Sequence, residues 1–213
     1  MRALLLTALL LATPAAARPW AATPEDFDKA VAQVQRLDAE LLSRDSATAT
    51  LQLWCDAHGP GGGVKIVARR IKDADKPAGE AERRDLNVGA ETPVAYRRVD
   101  LACGDKVLSR ADNWYLPDRL TPEMNAALNE TQTPFGVVVK PLNFRRRTLS
   151  STLLIVPAWI REHRLAPHPT SPEEELPVTP EVLQHRAVLA TPDGRPFSLV
   201  VETYTDQVLV SPP

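Results

Sequence analysis

The side chains able to do chemistry in this 213-residue chain are few, and most fail the spacing their chemistry requires. His58, His163, His168 and His185 have no metal-site spacing, and Glu162-His163 lacks the second histidine one turn on that a zinc helix needs, so no metal is expected and the histidines are expected at the surface or in loops. Gly59 to Lys65 (GPGGGVK) is glycine-rich, yet it lacks the Gly-Lys-Ser/Thr ending of a phosphate cradle and follows no strand. A flexible turn is the expectation there. No Gly-x-Ser-x-Gly elbow or catalytic cysteine motif occurs. On the strands, alternation sorts the charged residues by face. Arg98 shares a strand face with Val94, Tyr96 and Asp100, opposite Ala95, Arg97, Val99 and Leu101; Glu202 shares one with Ser198, Val200 and Tyr204. Arginine can hold a carboxylate by two parallel bonds, and a glutamate in a partly buried site can move a proton. Spacing alone assigns neither role, and an Arg98 to Asp100 surface pair fits the pattern equally well. Arg145-Arg146-Arg147 reads as a solvated strand end, with an anion or acidic partner as the alternative.

The elements that must position these residues are legible from periodicity and caps. Thr23-Pro24-Glu25 opens a helix whose Phe27, Ala30, Val31, Val34, Leu37, Leu41 and Leu42 recur at three and four residues. Asp45 or Ser46 caps a second helix through Leu51, Leu53 and Trp54, ended at His58-Gly59-Pro60. Val64 to Ile71 reads as a strand, and the charged, turn-rich Lys72 to Ala90 as an exposed connection. Val94 to Cys103 and Lys106 to Leu116 form a hairpin about Gly104-Asp105. A short helix follows Thr121-Pro122-Glu123, then a strand at Val137-Val138-Val139 and another from Phe144 to Val156. Pro157, Pro167, Pro169, Pro172, Pro177 and Pro180 make residues 157–180 a surface loop, a candidate cover for a pocket. The last hairpin is Val182 to Ala190 with Phe197 to Thr205, so the face of Phe197, Leu199, Val201 and Thr203 is the expected core face and that of Glu202 a mixed one. Hairpin returns with helices grouped early predict α+β with an antiparallel sheet and helices packed on one side.

A net charge of −2 implies neither a nucleic-acid footprint nor a polybasic membrane patch. Met1-Arg2, the apolar run Ala3 to Ala12 and Ala15-Ala16-Ala17 have the form of a secretory signal over residues 1–17, leaving one domain over 18–213. That run is shorter than the roughly 20 residues a span needs, so no membrane span is expected in the mature chain, which should be periplasmic or secreted. In an oxidising compartment Cys55 and Cys103 are expected to form a disulfide, with two buried thiols as the alternative.

In chain order, Leu41 to Ala47 (LLSRDSA), Tyr96 to Cys103, Leu116-Pro117, Thr133-Pro134-Phe135-Gly136 and Gly194-Arg195-Pro196 to Glu202 resemble the chorismate pyruvate-lyase family, over roughly residues 37 to 205. The resemblance implies that fold and a small cofactor-independent site. There Arg98 would clamp a carboxylate, Glu202 would move a proton, and Ala47, Tyr96 and Phe135 would contact the ligand. It implies binding of a small aromatic or cyclic carboxylic acid, with elimination of pyruvate from chorismate to give 4-hydroxybenzoate as its catalytic form. A non-catalytic periplasmic ligand-binding or interaction module on the same scaffold is the alternative. The sequence departs from the family at four points. Ala47 stands for Met after Asp45-Ser46, Phe135 stands for Leu, Glu202 arrives one residue late, and Asn113-Trp114-Tyr115 before Leu116-Pro117 is an insertion whose aromatics, if exposed beside a pocket, would contact a ligand. A one-residue slip reverses the face of a strand residue unless a bulge absorbs it.

Overall fold

A computed structural model describes residues 20–155 and 171–211; the segment 1–17 and the first part of the Pro-rich stretch lie outside the described residues. The helices begin where their caps demand. Thr23 accepts the Asp26 N–H at 3.2 Å and starts α1 (Pro24–Leu42); Ser46 accepts the Ala49 N–H at 3.2 Å and starts α2 (Ala47–His58). Both have proline or small residues in the first turn and an apolar stripe behind it. Ala30, Val34, Leu37 and Leu41 of α1 are buried, as are Ala47, Leu51 and Cys55 of α2.

These helices lie on one face of a six-stranded antiparallel sheet in the order β2 (Val67–Arg70), β3 (Ala95–Cys103), β4 (Lys106–Tyr115), β8 (Pro196–Thr205), β7 (Glu181–Ala190), β5 (Arg145–Leu153). The fold is thus α+β with helices on one side of an antiparallel sheet. The helix-covered face carries Val99 and Leu101 of β3, Ala187 of β7, and Val200 and Tyr204 of β8. It therefore includes the face of Glu202, which is a core face and not the mixed one that alternation suggested. The opposite face holds Trp114, Val188 and Leu199 beneath Leu86 of α3 (Glu80–Leu86). That short helix replaces part of the connection expected at 72–90, and Arg186 fastens it to the sheet through Asp85 at 2.8 Å and Glu82 at 3.3 Å.

Three further expectations are corrected. Phe135–Val138 is a helical turn, α5, following α4 (Pro122–Glu130), because the Pro134 carbonyl accepts the N–H of both Val137 and Val138. Ser171–Glu175, within the stretch expected as a loop, is a strand, β6, that pairs with β1 (Ala21–Ala22). Pro172 is tolerated there because a two-stranded ribbon consists of edges. His185 is also not a surface residue: it is fully buried, and its Nε2 lies 2.7 Å from Asp38 Oδ1, which also accepts the Ser151 hydroxyl at 2.8 Å. That carboxylate pins α1 to β5 and β7. Cys55 and Cys103 form a disulfide, with Cα atoms 5.8 Å apart, joining α2 to the end of β3. No helix among the described residues is long and apolar enough to cross a membrane.

Candidate functional site

The candidate site lies where the main core under α1 and α2 meets a second cluster of Tyr115, Leu128, Phe144, Leu189 and Phe197 at one end of the sheet. Between them is a cavity in which the centre of a water molecule can occupy about 40 Å³. Its apolar walls include Val99, Leu101, Ala111 and Val200 from the sheet, and Phe135 and Phe144 from the end cluster. Phe135 is held there by ring contacts with Tyr115 at 5.6 Å and Phe197 at 6.4 Å. The start of α2 closes one side through Ser46, Ala47 and Thr48.

Against these walls stand three buried charged side chains. Arg146 on β5 and Glu202 on β8 meet across the cavity, Nη2 to Oε2 at 2.7 Å, with the side chains 3% and 7% exposed. Burial works against the Arg146 charge, but the carboxylate of Glu202 outweighs it and holds the guanidinium above its ordinary value. Tyr204, fully buried one turn of the pleat away, donates its hydroxyl to the same Oε2 at 3.2 Å; burial and then the Glu202 charge push that hydroxyl well above the usual tyrosine range. Both bonds fall on Oε2, which leaves Oε1 as the glutamate oxygen available to a ligand.

The third charge is Arg97 on β3, 2% exposed. Its Nη2 donates to the Thr133 carbonyl at 3.3 Å, its Nε has no partner, and among the described residues no carboxylate pairs with it. Burial, followed by the nearby charge of Arg70, pushes the guanidinium down to about 10. A buried cation without a counter-charge is costly, and an anion entering this cavity would remove that cost. At the mouth, Asp45 accepts the Arg146 backbone N–H at 2.9 Å and an Arg145 guanidinium N–H at 3.0 Å. The Arg146 bond and then Arg145 hold the Asp45 carboxyl below its usual range against the opposing effect of burial.

Of the residues the sequence nominated, Glu202, Phe135 and Ala47 line the cavity, and Arg98 and Tyr96 do not. The register places Arg98 opposite Asp112 and Tyr96 opposite Trp114 on the far face of the sheet. There the Tyr96 hydroxyl donates to Asp112 Oδ1 at 2.6 Å, and Arg98, 44% exposed, stands 3.7 Å from the same oxygen. Asp100 instead faces Arg110, 3.9 Å away. Alternation along β3 gives the reason: Arg97, one residue earlier, shares its face with Val99 and Leu101, so it and not Arg98 points inward. That apolar company was visible in the sequence. Arg146 was harder to see, because Arg145 and Arg147 flank it and only pairing with β7 distinguishes the inward one. Trp114 and Tyr115 are buried and not exposed beside a pocket, while Asn113 lines the cavity and accepts the Ser198 hydroxyl at 2.7 Å.

In β8 the register shifts: Leu189 pairs with Ser198 and Ala190 with Pro196, so Phe197 is an extra residue, and Val200 and Glu202 beyond it line the cavity. The Pro-rich stretch beyond residue 170 forms β6 and its sequel, and none of its described residues lines the cavity. Among the described residues no cluster could hold a metal ion.

No family model matches the chain. It is 48% identical over 195 residues to the uncharacterized protein y4mC of Sinorhizobium fredii, covering 91% of this chain and 82% of that protein. Among solved structures, PhnF from Mycobacterium smegmatis is similar over 78% of this chain and 66% of its own, with TM-score 0.50 and 14% identity. The separate effector domain of that PhnF is similar over 76% of this chain and 88% of its own, with TM-score 0.47 and 16% identity. This chain therefore spans about two thirds of the whole PhnF chain. At such identity the likeness is one of fold alone.

Proposed function

The chain belongs to the family of the Sinorhizobium fredii protein y4mC, and from that premise we propose that it binds a small aromatic or cyclic carboxylic acid in the cavity between β3, β8, β5 and the start of α2. One observation carries this reading: Arg97 is buried against the cavity with an unpartnered Nε and no carboxylate partner among the described residues. A carboxylate offers two acceptors in one plane, which suits the fork of a guanidinium, and the apolar walls suit a ring. Glu202 serves here as the counter-charge of Arg146, and its free oxygen can accept a bond from a ring hydroxyl. Calorimetry with 4-hydroxybenzoate tests the proposal. Saturable binding that disappears in Arg97→Met supports it, and binding unaffected by that change ends it.

Elimination of pyruvate from chorismate is the second reading, favoured by Glu202 sharing the cavity with Arg97 and Arg146, although Arg98, the arginine that the family resemblance nominated, lies on the far face. Both hydrogen bonds to Glu202 treat it as an acceptor, the arrangement of a counter-ion more than of a proton donor, so binding ranks first. Pyruvate release from chorismate by the wild type, lost in Glu202→Gln, would reverse that order. The proposed setting is the periplasm or the exterior, with residues 1–17 as the removed signal. The Cys55–Cys103 bridge supports it, since disulfides persist in oxidising compartments. Fusion of residues 1–17 to a reporter that works only after export tests the location.

A further inference from the structure

Among the described residues, the charged ones that line the cavity are Asp45, Arg97, Arg146 and Glu202. Asp45 stands at the mouth, where the Arg145 guanidinium matches its carboxylate at 3.0 Å and water reaches both. The other three are withdrawn from water, and there two guanidinium groups face a single carboxylate. One positive charge is left over inside. The groups around Glu202 do not change that count. The Tyr204 hydroxyl keeps its proton because burial and the Glu202 charge hold it there. His185, opposite Glu202 on β7, has Asp38 at 2.7 Å as its own partner. Arg70, whose charge reaches Arg97, is exposed, so solvent screens it.

Unused donors accompany the surplus charge. Arg146 turns Nη2 to Glu202, yet its Nε, like that of Arg97, is buried without a partner. Asn113, also in the cavity wall, accepts the Ser198 hydroxyl with Oδ1, and its Nδ2 has no partner among the described residues. These groups suit an anion, but only one unit of its charge can be matched. A second unit would share the buried space with Glu202 and find no cation left to pair it. We infer that the cavity selects acids that carry one negative charge and rejects those that carry two, the limit being set by the single cation that Glu202 leaves unmatched. This rests on the carboxylate-binding reading of the cavity, and it disfavours a dicarboxylate such as chorismate.

Calorimetry at fixed ionic strength with 4-nitrobenzoate and terephthalate tests the inference, because nitro and carboxylate groups share one shape and differ in charge. The wild type is expected to bind 4-nitrobenzoate at least about tenfold more tightly. Glu202→Gln leaves two cations unmatched and should move the ratio about tenfold or more toward terephthalate. Glu202→Gln combined with Arg146→Met again leaves one, so this double variant should keep the preference of the wild type. The wild type and the double variant decide the matter if Glu202→Gln alone does not fold. Terephthalate bound as tightly as 4-nitrobenzoate by the wild type, a ratio unmoved by Glu202→Gln, or a double variant without the preference overturns the inference and leaves the cavity reading intact. Binding of neither acid overturns both.

Discussion

Arg146 and Glu202 form an ion pair 2.7 Å long between strands β5 and β8, which are separated by β7, and both side chains are almost wholly withdrawn from water. The pair spans the floor of the cavity, so it joins the edge of the sheet to its centre and fixes the position of the buried carboxylate of Glu202. Removing either partner leaves the other charge buried and alone, at a cost of about 3–5 kcal/mol. Glu202→Gln should lower the melting temperature by roughly 10 °C for a chain of this size. Arg146→Met should be comparably harmful, and the double variant should be more stable than either single one, because it removes both charges. Thermal denaturation of the four proteins checks this, and additive losses would show that the pair contributes no coupling.

The adjacent arginines of β3 should behave in opposite ways. Arg97 is buried without a counter-charge, whereas Arg98 is 44% exposed beside Asp112. Arg97→Met exchanges a buried cation for an apolar side chain of similar length. It should raise the melting temperature of the unliganded protein by a few degrees, about 2–4 °C per kcal/mol, while abolishing binding of aromatic acids. Arg98→Ala should leave both measurements nearly unchanged. Loss of binding in Arg98→Ala with binding intact in Arg97→Met would reverse the assignment of the inward face.

That contrast marks how far the sequence was legible. Alternation identified β3 and β8 and set Glu202 beside Val200, but the inward face of β3 depended on weighing Val99 and Leu101 against Tyr96, and a shift of one position changes the answer. Caps disclosed α1, α2 and α4 because hydroxyl oxygens met the first free N–H groups. The run Val137-Val138-Val139 suggested a strand by propensity, yet the close seat of Gly136 on Ser46 and Thr48 and the bonds to the Pro134 carbonyl impose a helical turn. Helix α3 buries only Leu86, so it had no periodic stripe to detect; its anchors are ion pairs with Arg186, about 100 residues away. Arg146 stood among three arginines, and only tertiary pairing singles it out.

Acid should loosen the mouth of the cavity. The Asp45 carboxyl is held below its ordinary value by the Arg146 N–H and by Arg145. A depressed folded-state value means that the contribution is complete above the unfolded value of 3.8 and is lost as the pH falls through the folded one. With the side chain 41% exposed, solvent screening limits it to about 1 kcal/mol or less. Asp45→Asn should thus be slightly less stable than the wild type at neutral pH, by a constant margin down to about pH 5, and the two should converge below 3.8. Urea midpoints across this range measure the margin, and a gap that widens in acid would contradict the account.

The disulfide should be the largest covalent contribution to stability, and Gly59 should depend on it. Cys55 and Cys103 are 48 residues apart, and closing such a loop removes on the order of 4 kcal/mol of unfolded-chain freedom in the entropic account. Cys55→Ala with Cys103→Ala, or reduction of the wild type, should lower the denaturation midpoint accordingly. Gly59 follows α2 directly, and a β-carbon on it would collide with the Cys55 carbonyl oxygen and stand 2.6 Å from Cys103 Sγ. Gly59→Ala should therefore destabilise the oxidised protein. In the double alanine background both sulfurs are gone and the Cys55 carbonyl obstruction stays as that of residue 55, so the cost of Gly59→Ala should shrink without vanishing. An identical cost in both backgrounds would show that the bridge does not constrain that glycine.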